Sequence, residues 1–573
     1  MPKAKPSAPS SSWDSELRLL AWLATCVSVI AFLFYYKRGE VLLYGDAVAH
    51  INIARRVFDS KTPGLLQLGT VWLPLPHLLM IPFVISGEMW RRGAGGSIPS
   101  MAGYVFAVIG MFRLTRAALA RGTDSDGAAH IAAWTAAVIF AANPNLIYMQ
   151  STAMGEVLYL ALFIWAVVFF VEWQRGNTKA RTRCGLCLAG ACLTRYDGWF
   201  LAAAMAAVVI VRAIFYREGG GEPRGRKHAH ESKQAAGRGS GMLRFVLVFV
   251  LLAGAAPVLW LAYNGIVYGN PLEFENGPYS AQAIERKTQV EESPVHRSPD
   301  HPGSGNPLLA GMYFVKSAEG NMADNQWLGR GWILIALGAV VAAAFALRGK
   351  QESGPVVWPL LFLFVPLLFY ALSIAYGGVP IFIPNWWPFS YYNVRYGLQL
   401  VPAFAMAAAI LVYLAIRSQA FDRRLRMACG FGVVAVVVAG YVSIWRDVPI
   451  CLKEAQVNMH SRTQLERELA QWIEKLPADS TLLMYLGDHV GAVERAGLPL
   501  RHTINEGNHR VWKQPADLDG LWERALANPA QYADFVLAFE GDPVWQAVHE
   551  RHLDEVVEIR VTGQARAVLY RAR

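Results

Sequence analysis

The sequence predicts a polytopic α-helical membrane protein that ends in a small α/β domain. Three observations carry that prediction. Of the 573 residues, 54% are hydrophobic and only 17% charged, whereas soluble domains carry about 25% charged residues. Several apolar runs exceed the ~18 residues that a helix needs to cross a bilayer. Beyond residue 447 the charge density rises and the apolar runs shorten into alternating helix-like and strand-like segments. The net charge of +10 is read as a topology signal carried by the loops, and the chain is not expected to bind nucleic acid.

Each segment follows in order. Residues 1–17 are polar and rich in Pro and Ser, which predicts a disordered cytoplasmic N-terminus. Residues 18–446 hold about eleven spans, near 18–36, 97–119, 129–148, 156–173, 184–195, 198–216, 244–266, 328–347, 355–375, 397–416 and 429–446. The apolar run 18–36 is long and lacks a small-residue cleavage site, so a cleaved signal is not expected. The stretch "GTVWLPLPHLLMIPFVISG" (69–87) is nearly long enough to cross, but Pro74, Pro76 and Pro82 oppose a continuous helix. Parity decides its reading. If it stays in the interface, the loops near 121–127, 174–183, 217–243, 347–350 and 417–426 share one side with the N-terminus. The segment 217–244 has seven Lys/Arg against three Asp/Glu, which makes that side cytoplasmic. Arg91 and Arg92 are the exception, two basic residues outside. The first outer loop, 37–96, then carries interfacial helices, and the long outer loop 267–327 has eight acidic and four basic residues. Five of the six cysteines lie in or beside apolar segments and read as small hydrophobes. Cys184 and Cys187 form a C-x-x-C with no second pair at zinc spacing.

Residues with chemistry gather on the outer face. Asp46 opens the helical pattern "AVAHINIARRVF", where it suits an N-cap, a general base or a metal ligand. His50 follows at i+4 on the same helix face. It suits a divalent ion shared with Asp46 and with Glu156 or His77, or a hydrogen bond that orients Asp46, which is the preferred reading. Glu156 opens a span, where it favours the helix dipole or pairs with Asp46. Arg195 and Asp197 lie between two spans in "TRYDGW" and suit each other as partners. Arg395 opens a late span, framed by Tyr391, Tyr392 and Tyr396. An always-charged guanidinium among aromatic rings suits a phosphate at the membrane surface, or simple interfacial anchoring.

This order of features resembles the C-type glycosyltransferases (GT-C), membrane enzymes that use polyprenyl-phosphate-linked sugars, including protein mannosyltransferases and aminoarabinose transferases. The resemblance spans about 40–450. It rests on Asp46 in "YGDAVAHINIARRV", on the Pro-rich "GTVWLPLPHLL", on Glu156 in "MGEVLY", and on Arg395–Tyr396 followed by Pro402. It implies a GT-C fold and a hexosyltransferase-type transfer of a single sugar, with inversion, from a polyprenyl-phosphate donor to a protein, lipid or glycan acceptor. Asp46 would be the catalytic base. Arg395, together with Arg195, would bind the lipid phosphate, and His50, His77, Glu156, Asp197, Tyr392 and Tyr396 would line the substrate site. No cofactor is implied beyond the divalent metal that Asp46, His50 and Glu156 suit. The sequence departs from the family in placing Ala47 after Asp46 where an Asp–Glu pair is usual, and "NWWPF" lacks the Asp of a W-W-D motif.

Residues 447–573 read as an extracytoplasmic α/β domain: an amphipathic helix at 463–476, strands at 480–487 and 533–539, and a terminal strand pair. Asp488 and His489 sit at a strand-to-helix turn. The cytoplasmic N-terminus, basic inner loops and outer C-terminal domain fit a bacterial inner membrane. The competing class is a transporter or flippase for a lipid-linked or anionic substrate, which the absence of an internal repeat disfavours.

Overall fold

The computed structural model describes residues 11–120, 126–218, 229–277, 280, 283, 301–347, 356–417, 422–487, 489–508 and 520–573. Expectations placed on 1–10, on the loops at 121–125, 219–228, 278–279, 281–282, 284–300, 348–355 and 418–421, and on Asp488 lie outside the described residues.

Among those residues, nine helices are long and apolar enough to cross a membrane, against about eleven expected. The expected span 129–148 divides into the helices Gly127–Ala141 and Pro144–Met149. Pro144 has no N–H to continue the ladder, and Asn143 caps the second helix by accepting the Leu146 N–H at 2.9 Å. The expected span 184–195 is the 13-residue helix Ala180–Cys192. At 1.5 Å per residue both helices fall short of a bilayer core of about 30 Å. Helix Ser11–Lys37 starts earlier than expected and takes in residues assigned to the disordered N-terminus. The Pro-rich stretch forms only the ten-residue helix Leu75–Val84, too short to cross.

Two late helices begin in the same way. A 3₁₀ turn, Trp358–Phe364 or Val394–Leu400, runs into an α-helix whose second residue is proline, Pro366 or Pro402. Proline cannot donate to the preceding turn, so it marks where the tighter winding gives way.

The membrane core packs through small residues, as expected where lipid offers no hydrophobic gain for helix association. Ala132, Ala133, Ala136 and Ala137 are fully buried in Gly127–Ala141, which packs against Ala94–Leu119 and Val401–Arg417. A Cβ on Gly397 would lie 2.5 Å from the Ser317 carbonyl carbon, so the Val394–Leu400 turn lies directly on helix Pro307–Met322.

Helix Ile450–Ile473 leads into a five-stranded sheet. Its strands are β1 Leu482–Met484, β2 Thr503–Ile504, β3 Phe535–Phe539, β4 Asp554–Ile559 and β5 Ala567–Arg571. The order is β2-β1-β3-β5-β4. β1 is parallel to β2 and β3, and β5 is antiparallel to β3 and β4. The fully buried β3 and the terminal pair β4–β5 follow the sequence pattern, while the two-residue β2 was too short to leave one.

The C-terminal unit is bonded to the first loop. Asn52, on helix Gly45–Arg56, donates to Glu494 Oε2 at 2.5 Å and accepts from Trp90 Nε1 at 3.0 Å. Asp59 holds Arg55 at 2.7 Å and Arg501 at 3.3 Å. Burial pushes the Glu494 carboxyl up to about 8, with nearby Glu466 adding to the shift and the Asn52 hydrogen bond opposing it.

Two outcomes follow. Gly397→Ala should destabilise the chain by about 1–3 kcal/mol through backbone overpacking, seen as a lower thermal midpoint in detergent. The folded chain keeps a proton on Glu494 that the unfolded chain loses above its ordinary value of about 4.3. That contribution is complete below the ordinary value and is lost as pH rises through about 8. Thermal midpoints measured from pH 5 to 9 should therefore fall more steeply for the native chain than for Glu494→Gln. Parallel curves would refute the buried proton.

Candidate active site

Asp46 is the second residue of helix Gly45–Arg56, whose N-cap position is Tyr44. Asp46 is therefore not the cap, although as a first-turn acid it favours the dipole. The Tyr44 hydroxyl donates to the Cys451 carbonyl at 2.6 Å and lies 3.2 Å from Glu454 Oε2. This ties the start of the Asp46 helix to the start of helix Ile450–Ile473. That second helix lacks a side-chain cap of its own. Its Cys451 N–H is satisfied instead by Asn145 Oδ1 at 2.9 Å.

Arg395 is brought in by Asn393, a left-handed residue with φ +55°, a conformation that Asn tolerates better than most residues. Asn393 Nδ2 holds the turn by donating to the Pro380 carbonyl at 2.9 Å. The Arg395 guanidinium then meets three carboxylates: Asp46 at 2.5 Å, Glu156 at 3.2 Å and Glu454 at 3.0 Å. Its backbone N–H also donates to Glu454 at 3.2 Å. Arg195 adds a second cation, 3.0 Å from Glu156 and 3.3 Å from Asp197, and donates to the Tyr370 hydroxyl at 3.0 Å. The Tyr396 ring lies 4.9 Å from the Arg395 guanidinium and 4.8 Å from that of Arg195, so both cations share one π face region. Tyr392 is 46% exposed and pairs its backbone with Phe382.

The carboxylates differ in access. The side chains of Glu156 and Glu454 are 2% and 1% exposed, that of Arg395 is 7%, and that of Asp46 is 38%. Asp46 is thus the open member of a buried ion cluster.

Two expectations are corrected. His50 does not orient Asp46: its Nδ1 lies 2.8 Å from His77 Nε2, against the ring of Trp72. Burial lowers the pKa of both histidines, so the pair is neutral and one ring donates to the other. Asp46, His50 and Glu156 do not fit a metal ion, because the Arg395 guanidinium lies between the two carboxylates and His50 turns to His77. Among the described residues no group of three or more His, Cys, Asp or Glu gathers as metal ligands would. Arg395 directs all three of its nitrogens at carboxylates.

Sequence reasoning brought Asp46, Glu156, Arg195, Asp197, Arg395 and Tyr396 to one place but missed Tyr44, Tyr370 and Glu454. Glu454 carried a signal: it adjoins the apolar stripe Cys451, Ala455 and Met459, where a charge needs a partner. Its assignment to the outer domain hid it.

No protein-family model matches the chain, and no curated protein matches its sequence. Solved structures do resemble it. ArnT from Cupriavidus metallidurans bound to undecaprenyl phosphate is 13% identical with a TM-score of 0.52, over 99% of each chain. Apo ArnT from the same organism is 14% identical with a TM-score of 0.52, over 98% of this chain and 99% of ArnT. An oligosaccharyltransferase from Archaeoglobus fulgidus is 12% identical with a TM-score of 0.47, over 91% of this chain and 69% of its own. The chain is an integral membrane protein with the fold of ArnT.

Proposed function

We propose that this protein is a glycosyltransferase that moves a single sugar from a polyprenyl-phosphate donor to an acceptor hydroxyl at the extracytoplasmic face of a bacterial inner membrane. The observation that carries the reading is the ion cluster in which Asp46 alone stays open to an entering group. The undecaprenyl phosphate bound to ArnT, which shares the fold, supports a donor of that chemical class.

In the proposed reaction the acceptor oxygen attacks the anomeric carbon from the face opposite the phosphate. The bond to the phosphate oxygen breaks and leaves its electron pair on the phosphate. The hydroxyl proton passes to Asp46, and configuration inverts. Arg395 holds the Asp46 carboxylate aimed. Arg195, at 18% exposed the less buried of the two guanidiniums, is the better placed to take the charge that develops on the phosphate. Glu156, Glu454 and Asp197 keep both arginines in place. Tyr392 and Tyr396 line the approach, and the neutral His50–His77 pair supports the helix that presents Asp46.

The test is transfer or donor hydrolysis with radiolabelled polyprenyl-phosphate sugars, using the purified full chain. The native chain should turn over at least one donor. Asp46→Asn should lose about 100-fold or more in turnover, the scale of a general base, while still binding the donor lipid. Equal turnover by the two would remove Asp46 as the base. A well-folded native chain inert to every lipid-linked sugar would overturn the enzyme reading in favour of transport.

A further inference from the structure

The two outer arginines that break the charge pattern of the sequence, Arg91 and Arg92, have a place in the fold. They follow and end the short helix Gly87–Arg91, at the start of the candidate span Ala94–Leu119. A cleft of about 390 Å³ opens between them and the C-terminal unit, lined also by Arg467, Gln471 and Glu474 of the segment after Ile450 and by Arg495. Four arginines thus meet one lining acid, on a face whose long loop is mainly acidic.

The four are differently engaged. Arg495 is anchored by Glu466 at 3.0 Å, an acid that also holds Arg462 at 2.8 Å. Arg92 pairs with Glu88 at 2.5 Å, both half exposed, and faces the Tyr36 hydroxyl near the end of the first candidate span. Arg91 lies against Gly497, where a Cβ would come within 3.2 Å of its Cδ. Among the described residues, neither Arg91 nor Arg467 makes an ion pair, and both are exposed. Two guanidinium forks without an ion pair among the described residues therefore line one concave site, one from the membrane body and one from the C-terminal unit. Forked donors of this kind suit the several oxygens of a phosphate monoester. Tyr36 and the start of Ala94–Leu119 set the site at the edge of the bilayer.

We propose that this cleft binds a phosphate monoester presented at the outer membrane surface, and that Arg91 and Arg467 grip it from opposite sides. None of its lining residues belongs to the Arg395 ion cluster, and the site does not depend on the transfer reaction. An anion there would join the C-terminal unit to the membrane body.

The test is thermal stabilisation of the purified full chain in neutral detergent. The probes are a short-chain phosphatidic acid, a short-chain phosphatidylcholine and inorganic phosphate. Phosphatidic acid should raise the midpoint and phosphatidylcholine should not. A rise with phosphatidic acid alone assigns the site to a lipid headgroup. An equal rise with inorganic phosphate assigns it to a soluble phosphate. Arg91→Gln/Arg467→Gln should weaken the apparent affinity at least about tenfold, the scale of lost charge-assisted hydrogen bonds. Both side chains are exposed, so the unliganded midpoint should stay near that of the native chain. Arg551→Gln/Arg571→Gln, exposed elsewhere on the C-terminal unit, should respond like the native chain. No stabilisation by either phosphate, or the same stabilisation in the Arg91/Arg467 variant, would overturn the proposal.

Discussion

One guanidinium organises the end of the membrane body that meets the C-terminal unit. Arg395 meets carboxylates from three distant segments, those of Asp46, Glu156 and Glu454. Burying any of these acids without a cation would be costly, and burying the arginine without acids equally so. Each segment therefore packs where it does partly because the others do. The aromatic rings of Tyr44 and Tyr396 complete the enclosure at 4.9 Å, replacing water with polarisable faces that still favour a cation.

The arrangement divides labour among acids of the same chemical type. Glu156 and Glu454 are sealed from solvent and keep Arg395 charged and immobile. Asp46 shares the same cation but stays open. Preorganisation of this kind removes the cost of orienting a reactive group when a substrate arrives. The immobile cation also makes a divalent metal unnecessary for holding the two nearest carboxylates together.

Much of this was legible in the sequence. The spans near 97–119, 156–173, 198–216 and 397–416 are long, apolar and bounded by charges, so composition alone marks them. Asp46, Glu156, Arg195 and Arg395 stood out as charges at the ends of apolar runs on one parity-defined face. The partners within the cluster were not legible. Which acids Arg395 meets depends on the left-handed turn at Asn393 and on a helix 59 residues later, and no local pattern encodes either. His50 illustrates the same limit. Its i+4 spacing from Asp46 gave a shared helix face, but a second histidine from a separate short helix claimed its ring nitrogen. The division of 129–148 at Asn143–Pro144 was written plainly in those two residues, and overall hydropathy overrode it.

Helix Ile450–Ile473 has a consequence for how the chain can be cut. Near one end, Glu454 holds Arg395; twelve residues on, Glu466 is held by Arg462 of the same helix and gripped by Arg495 of the C-terminal unit. At 1.5 Å per residue these two acids stand about 18 Å apart on one rigid rod. The C-terminal unit and the membrane body are thus two ends of a single lever rather than separable modules. A chain ended at the last membrane helix would lose a buried counter-ion of its own active-site candidate, and any tilt of the C-terminal sheet is transmitted to Arg395.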